Sequence, residues 1–169
     1  MPEQIRFYAV QACSAGQKWT WDSVEFQILF PDKTDEFAGN NASCMLKAGN
    51  GRNAVLILGD AEARAESLML GRNKDSINSA VLIAPHHGSA TSSSPGFIRA
   101  VSPDYVIFPA GYLNRYRHPN QAIIERYKQA GIKALNTAYI GAVSIQFTEN
   151  GFAIGTEREK SSRFWSFSN

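Results

Sequence analysis

The chain has 169 residues, 44% of them apolar and 19% charged, with a formal net charge of +2. That length fits one domain with a real core, and the balance is that of a folded globular chain rather than a disordered one. The small charge gives no argument for a polyanion partner by itself, no run reaches the ~18 apolar residues of a membrane span, and Met1-Pro2-Glu3-Gln4 lacks the basic-then-apolar pattern of a signal peptide. Cys13 and Cys44 are the only thiols. Two cysteines do not make a disulfide scaffold, and the sequence leaves open whether they pair.

In chain order, residues 1–18 read as irregular, with a turn at Ser14-Ala15-Gly16. Trp19-Thr20-Trp21-Asp22 opens a strand in which Val24, Phe26, Ile28 and Phe30 alternate with polar residues. A polar loop over 31–41 leads to strands at 43–47 and 54–58, around the turn Gly49-Asn50-Gly51. Asp60 precedes a short helix over 61–70, with Ala65, Leu68 and Met69 on one side and Gly71 as its stop. Strand 80–84 follows and runs into Pro85-His86-His87-Gly88-Ser89. Ser92-Ser93-Ser94-Pro95 reads as a cap and first turn for a helix that buries Phe97, Ile98 and Val101. Strand 105–108 leads to Asn114-Arg115-Tyr116-Arg117-His118-Pro119, and Pro119 starts a helix that buries Ile123, Ile124 and Tyr127 and ends at Gly131. Strands at 132–135, 142–147 and 152–154 complete the pattern, with Asn150-Gly151 as a hairpin turn. The segment 157–169 is a polar and aromatic tail.

Three strand ends therefore deliver Asp60, the pair His86 and His87, and the loop of His118 toward one sheet edge, where open α/β sheets build their sites. Carboxylate and imidazole without thiolate suit Zn, Mn or a similar divalent ion. Arg115, Arg117 and Asn114 around His118 suit a phosphate, with His118 able to protonate a leaving oxygen. Ser89 and the serine run sit at a helix start, also a natural anion site. Each feature has a plainer reading. Gly-Asp after a strand makes a turn or cap, paired histidines can be structural, and a serine run can simply cap a helix. Trp19 and Trp21 share one face of a strand and can be edge packing.

Taken in order, Trp19-x-Trp21-Asp22, Asn41-x-Ser43-Cys44, Leu58-Gly59-Asp60, Pro85-His86-His87-Gly88-Ser89 with Thr91 to Ser94, and Asn114-Arg115-Tyr116-x-His118-Pro119 resemble the ComEC family of bacterial competence channels. The similar part is the C-terminal metallo-β-lactamase-like domain, over about residues 13 to 148. The resemblance implies an α/β fold: the C-terminal half of a metallo-β-lactamase αββα sandwich, a mixed sheet with helices on one face, over residues 19–156. It implies a metal-dependent phosphodiesterase or nuclease domain in which Asp60 is the bridging carboxylate, His86 or His87 the last histidine ligand, and His118 the histidine near the substrate phosphate. Ser89, Asn114 and Arg115 fall at substrate-side positions.

The superfamily motif His-x-His-x-Asp-His is not in this sequence, so the expected chain is part of a domain. Metal, Zn or Mn, belongs to the intact domain and is expected to bind weakly or not at all here, with little nuclease activity. The implied partners are transforming DNA, single-stranded or incoming, and the remainder of a channel in the cytoplasmic membrane, with this part soluble. A partial domain also predicts a homo-oligomer through an open sheet face. Two other functions fit the same residues. One is a non-catalytic DNA-binding module using Arg115, Arg117, Lys128 and Lys133. The other is a truncated hydrolase of small phosphoesters.

Overall fold

The computed structural model describes residues 11–160. The expected irregular start (residues 1–10 of it) and tail (161–169 of it) lie outside the described residues. The first described turn, Ser14 to Gln17, is closed by the Gln17 side chain, which accepts from Ser14 N–H at 2.9 Å.

Strand β1 (Lys18–Trp21) and β2 (Val24–Phe30) form a hairpin. The alternating pattern predicted one strand across 19–30, but Asp22 and Ser23 both take positive φ, 49° and 63°. A two-residue turn of that hand matches the right-handed twist of the strands, and a short polar residue tolerates it. After the loop come β3 (Met45–Gly49) and β4 (Ala54–Ile57), joined by a turn in which Asn50 Oδ1 accepts the amides of Arg52 and Asn53. Helix α1 (Ala63–Asn73) runs past Gly71 rather than stopping there. Then β5 (Val81–Ile83), α2 (Pro95–Val101), β6 (Tyr105–Phe108), α3 (Gln121–Gln129) and β7 (Lys133–Asn136) alternate, as the apolar runs predict. A single helical turn, α4 (Thr137–Ile140), which the sequence did not signal, leads to the hairpin β8 (Val143–Thr148) and β9 (Gly151–Thr156), closed by α5 (Glu157–Lys160).

The seven strands lie in sequence order in one mixed sheet. β1 to β4 pair antiparallel, and β4 to β7 pair parallel. An α/β fold with a mixed sheet is therefore established. Alternation along the strands splits the apolar residues between two faces. Leu56, Leu82, Val106 and Phe108 meet Met69 of α1, Phe97 of α2 and Tyr127 of α3 on one face. Val55, Val81 and Ile107 face the other way, where Val143, Ile145, Phe147, Phe152 and Ile154 of the β8–β9 hairpin cover them. Helices α1 to α3 thus share one face, and the hairpin covers part of the other.

Cys13 and Cys44 form a disulfide, with Cα atoms 6.1 Å apart. It ties the entry of β1 to the entry of β3, the one covalent link the sequence left undecided.

Candidate functional site

In a parallel sheet the strands end at a common edge, so the residues just after β4, β5, β6 and β7 are neighbours whatever their sequence distance. Asp60 follows β4, His86 and His87 follow β5, and His118 closes the loop after β6. The structure brings all four together. His87 Nε2 lies 3.3 Å from Asp60 Oδ1, and the His86 and His118 rings are 5.7 Å apart.

Local backbone makes this possible. His86 and His87 both occupy the left-handed region, at φ 49° and 55°. Consecutive residues other than glycine are rarely held there, at a cost of about 1–2 kcal/mol each. The bend is held by His86 N–H donating to the Gly59 carbonyl at 2.9 Å. Gly88 completes it at φ 81°, and a Cβ there would fall 2.6 Å from the Phe108 ring and 2.7 Å from Pro119. Only glycine lets the His118–Pro119 segment close over the double histidine.

The tautomer of His87 follows from its second contact. Nδ1 lies 2.9 Å from the Pro109 carbonyl, which can only accept, so Nδ1 carries the proton. In the neutral ring Nε2 is then a bare lone pair facing a carboxylate oxygen. Two acceptors at that distance need a proton or a cation between them. A carbonyl-oriented imidazole beside a carboxylate is also how metal-binding histidines are held. This donor pair fits part of a divalent-metal site. It does not make a whole one. Among the described residues no group of three His, Cys, Asp or Glu side chains converges as a metal site, and a catalytic zinc has three protein ligands.

His86 faces a second carboxylate that the sequence reading did not single out. Its Nδ1 lies 3.4 Å from Glu62 Oε1 and 3.4 Å from Thr91 Oγ1. Thr91 donates to Glu62 at 3.0 Å, and the amides of Asn40 and Asn41 reach the two Glu62 oxygens at 3.4 Å. These donors, Thr91 first, hold the Glu62 carboxyl below its ordinary pKa, so it stays ionised. Asn41 Oδ1 also accepts the amide of Ala65, and Ser43 Oγ accepts the amide of Asp60. The Asn41-x-Ser43 motif thus fixes the Asp60–Glu62 segment from the side. Glu62 was hidden because, in sequence, it is one more charge before a helix; only its spacing of two from Asp60 hinted at it.

The His118 pKa is lowered, first by desolvation and then by the neighbouring His86 and His87. The ring is therefore neutral at neutral pH and suited to accept a proton or hydrogen bond. Tyr116 stacks on it, rings 5.9 Å apart at 16°.

Other predicted residues take structural positions. Asn114 turns inward: its Oδ1 accepts His118 N–H at 2.9 Å, and its Nδ2 donates to the carbonyls of His118 and Gly111. It shapes the loop rather than facing outward. Ser89 is buried and bonded to Thr91 Oγ1 at 3.1 Å. Ser92 and Ser93 are buried too, and the amides of Ser93 and Ser94 at the start of α2 are both taken by the carboxylate of Glu66, which is fully buried. Arg115 and Arg117 remain exposed on the loop, with no carboxylate paired to either among the described residues. Lys128 lies in the last turn of α3 and Lys133 begins β7, so both stand at the opposite sheet edge, the first paired with Glu125 and the second set over Tyr105. The structure does not join them to the arginine loop.

No protein-family model matches the chain. It is 38% identical over 148 residues, 88% of its length, to a protein named Competence protein ComA of Neisseria gonorrhoeae. It is 35% identical over 153 residues to Recombination protein 2 of Haemophilus influenzae, and 28% identical over 139 residues to ComE operon protein 3 of Bacillus subtilis. These names point to competence proteins. The chain spans about a fifth of the length of these curated relatives: 21%, 19% and 18%.

Proposed function

We propose that this chain is the C-terminal part of a metallo-β-lactamase-like, metal-dependent phosphodiesterase domain in a protein of DNA uptake. Asp60 and His87 form one wall of its metal site, and residues outside this chain supply the rest. The observation that carries the reading is the Asp60–His87 pair, two acceptor atoms 3.3 Å apart with the other His87 nitrogen committed to Pro109. The similarity to a protein named for competence supports the setting; DNA as substrate and the remainder of a membrane channel as partner are part of the proposal. Among the described residues no helix is long and apolar enough to cross a membrane.

Asp60 and His87 would hold part of the shell of a divalent ion, which would supply Lewis-acid stabilisation of a phosphoryl oxygen. This chain's own residues do the rest. Glu62 and Thr91 orient His86. Neutral His118 stands beside it to accept a hydrogen bond or proton. Arg115 and Arg117 attract the phosphate backbone.

The test is calorimetric titration of Zn and Mn into the chain alone and into the chain mixed with the region that precedes it in the longer protein. Weak binding alone, strong binding and metal-dependent cleavage of DNA in the mixture, and about tenfold or greater loss with Asp60→Asn are expected. A mixture that binds metal equally well with and without Asp60 would sink the reading. A binding module without catalysis is the second reading, favoured by the exposed Arg115 and Arg117, neither paired to a carboxylate among the described residues; a mixture that binds DNA but never cleaves it selects that one.

The same reading gives the isolated chain a self-associating face. Among the described residues β1 is an edge strand, with Trp19 and Trp21 45% and 74% exposed, and a second copy can pair along it. Light scattering that stays monomeric at high concentration would refute this.

A further inference from the structure

The serine run Ser92-Ser93-Ser94 follows a backbone under strain. His86, His87 and Ser93 all sit at positive φ, 49°, 55° and 59°, three left-handed positions without glycine within eight residues. Such backbone persists only where surrounding bonds over-determine it, and clustered outliers of this kind mark working sites. Several of those bonds come from the run. Ser92 Oγ, 2% exposed, lies 2.9 Å from the Pro85 carbonyl and 3.0 Å from the Ser89 carbonyl. A carbonyl only accepts, so one hydroxyl proton serves both the residue before the double histidine and the residue after Gly88. That bond closes the bend from inside. The amides of His86 and Ser89 close it further on the Gly59 and His86 carbonyls, both at 2.9 Å.

The run is itself gripped from two helices. Glu66 of α1 accepts the amides of Ser93 and Ser94. Arg126 of α3 donates to the Ser93 carbonyl, and the Tyr127 hydroxyl donates to Ser93 Oγ. No carboxylate is paired to Arg126 among the described residues, so its cation is aimed at main chain. A carboxyl and a guanidinium thus hold the N–H and the C=O of one left-handed serine. The same loop carries Thr91, whose carbonyl accepts the Ala63 amide at 2.9 Å and whose hydroxyl reaches Glu62 and His86.

We infer that Ser92, Glu66 and Arg126 are positioning residues that hold His86 and His87 in the left-handed bend, with His87 aimed at Asp60 and His86 at Glu62. They act through the main chain at Pro85, Ser89 and Ser93. Released from the run, the two histidines return to the negative φ that residues with a Cβ prefer, and a change in the sign of φ carries His87 Nε2 away from Asp60. The inference rests on reading Asp60 and His87 as one wall of a site, and adds what fixes that wall.

The experiment is NMR on the isotope-labelled 169-residue chain at one fixed pH. One-bond Cα–Hα couplings of His86 and His87 report the sign of φ, and the ring nitrogen shifts of His87 report the tautomer that the Pro109 carbonyl selects. Ser92→Ala, Glu66→Gln and Arg126→Met are each expected to move both couplings toward negative φ and to mix the His87 tautomers. Arg126→Lys still donates to the Ser93 carbonyl and is expected to keep the parent signature. Ile98→Val, a core change in α2 that leaves all of these bonds in place, is the control for lost stability and is expected to keep it too. Should Glu66→Gln fail to fold, Ser92→Ala and Arg126→Met carry the test. Variants that lower the urea midpoint but leave couplings and tautomer as in the parent overturn the inference. So does an Ile98→Val signature as disturbed as theirs. Zn titration of the chain mixed with the region that precedes it gives a second readout. Where that binding depends on Asp60, Ser92→Ala is expected to weaken it about tenfold, and unchanged binding overturns the inference. Asp60→Asn separates this outcome from that of the metal reading. A bend released by the serine-run variants, in a mixture whose metal response ignores Asp60, leaves the positioning role standing and removes the phosphodiesterase. An Asp60-dependent metal response with an undisturbed bend does the reverse.

Discussion

The two halves of the sheet are built from similar residues and live under different constraints. β4 to β7 are parallel, packed by helices on one face and by the β8–β9 hairpin on the other, where it covers Val55, Val81 and Ile107. β1 to β3 are antiparallel, and their second face leaves Trp19, Trp21 and, on neighbouring β4, Ile57 exposed. Asp60, Glu62, His86, His87 and His118 all sit at the end of the doubly packed half. Held donors need a rigid base, and a strand buried on both faces supplies it. The antiparallel half contributes by reaching over: Asn41 and Ser43, just before β3, fix Glu62 and Asp60 from outside.

The contrast is open to direct attack. Phe108 ends β6, is 1% exposed and meets Tyr127 edge to face. Phe108→Ala should cost about 3–5 kcal/mol in urea unfolding and should also loosen the histidine bend that Gly88 packs against it. Next in size is the link between halves and site. Reduction of Cys13–Cys44, or Cys44→Ser, releases a loop with a sequence separation of 31 and should cost about 3–4 kcal/mol, read as a lower denaturation midpoint with and without reductant. Glu66→Gln comes third. Its amide would present N–H to one of two N–H donors, and a loss of about 2–3 kcal/mol is expected by the same unfolding measurement.

The fourth prediction concerns pH. Tyr127 is fully buried, and its hydroxyl donates to Ser93 Oγ at 3.0 Å. Desolvation raises its pKa well above the ordinary 10.0. A folded-state value above the unfolded one means the stabilisation is complete below about pH 10 and is lost as pH rises beyond it. Urea midpoints from pH 8 to 11 should therefore fall above pH 10, and Tyr127→Phe should flatten that fall at a cost of about 1 kcal/mol at pH 7. The smallest effect belongs to the open half: Trp21→Ala should change stability by less than about 0.5 kcal/mol, because 74% of that residue is already in water. A large loss there would erase the distinction between the halves.

The parallel half was legible because buried parallel strands are continuous apolar runs, and because Asp60 and His86 follow such runs closely, with His118 at the close of the next loop. The hairpin at Asp22-Ser23 was not, since its turn lacks the glycine that marks most turns of that hand and the alternation continues across it. Glu62 and Glu66 were missed for another reason. A carboxylate's role depends on which donors approach from elsewhere, and Thr91, Ser93 and Ser94 arrive from more than twenty residues away. The disulfide is of the same kind, a matter of distance that two isolated cysteines do not encode. The serine run carried a true signal with the wrong recipient: it does receive an anion, but the anion is the chain's own.

Glu66 closes the start of α2 to any other anion. A free phosphate or sulfate ion drifting to the start of α2 finds both forward amides occupied by a carboxylate that is closed off from water. The exposed arginines of the 114–118 loop are left as the nearby landing place for anionic ligands. A simple inorganic anion meets only solvent-exposed charge there, which is weak and screened by salt.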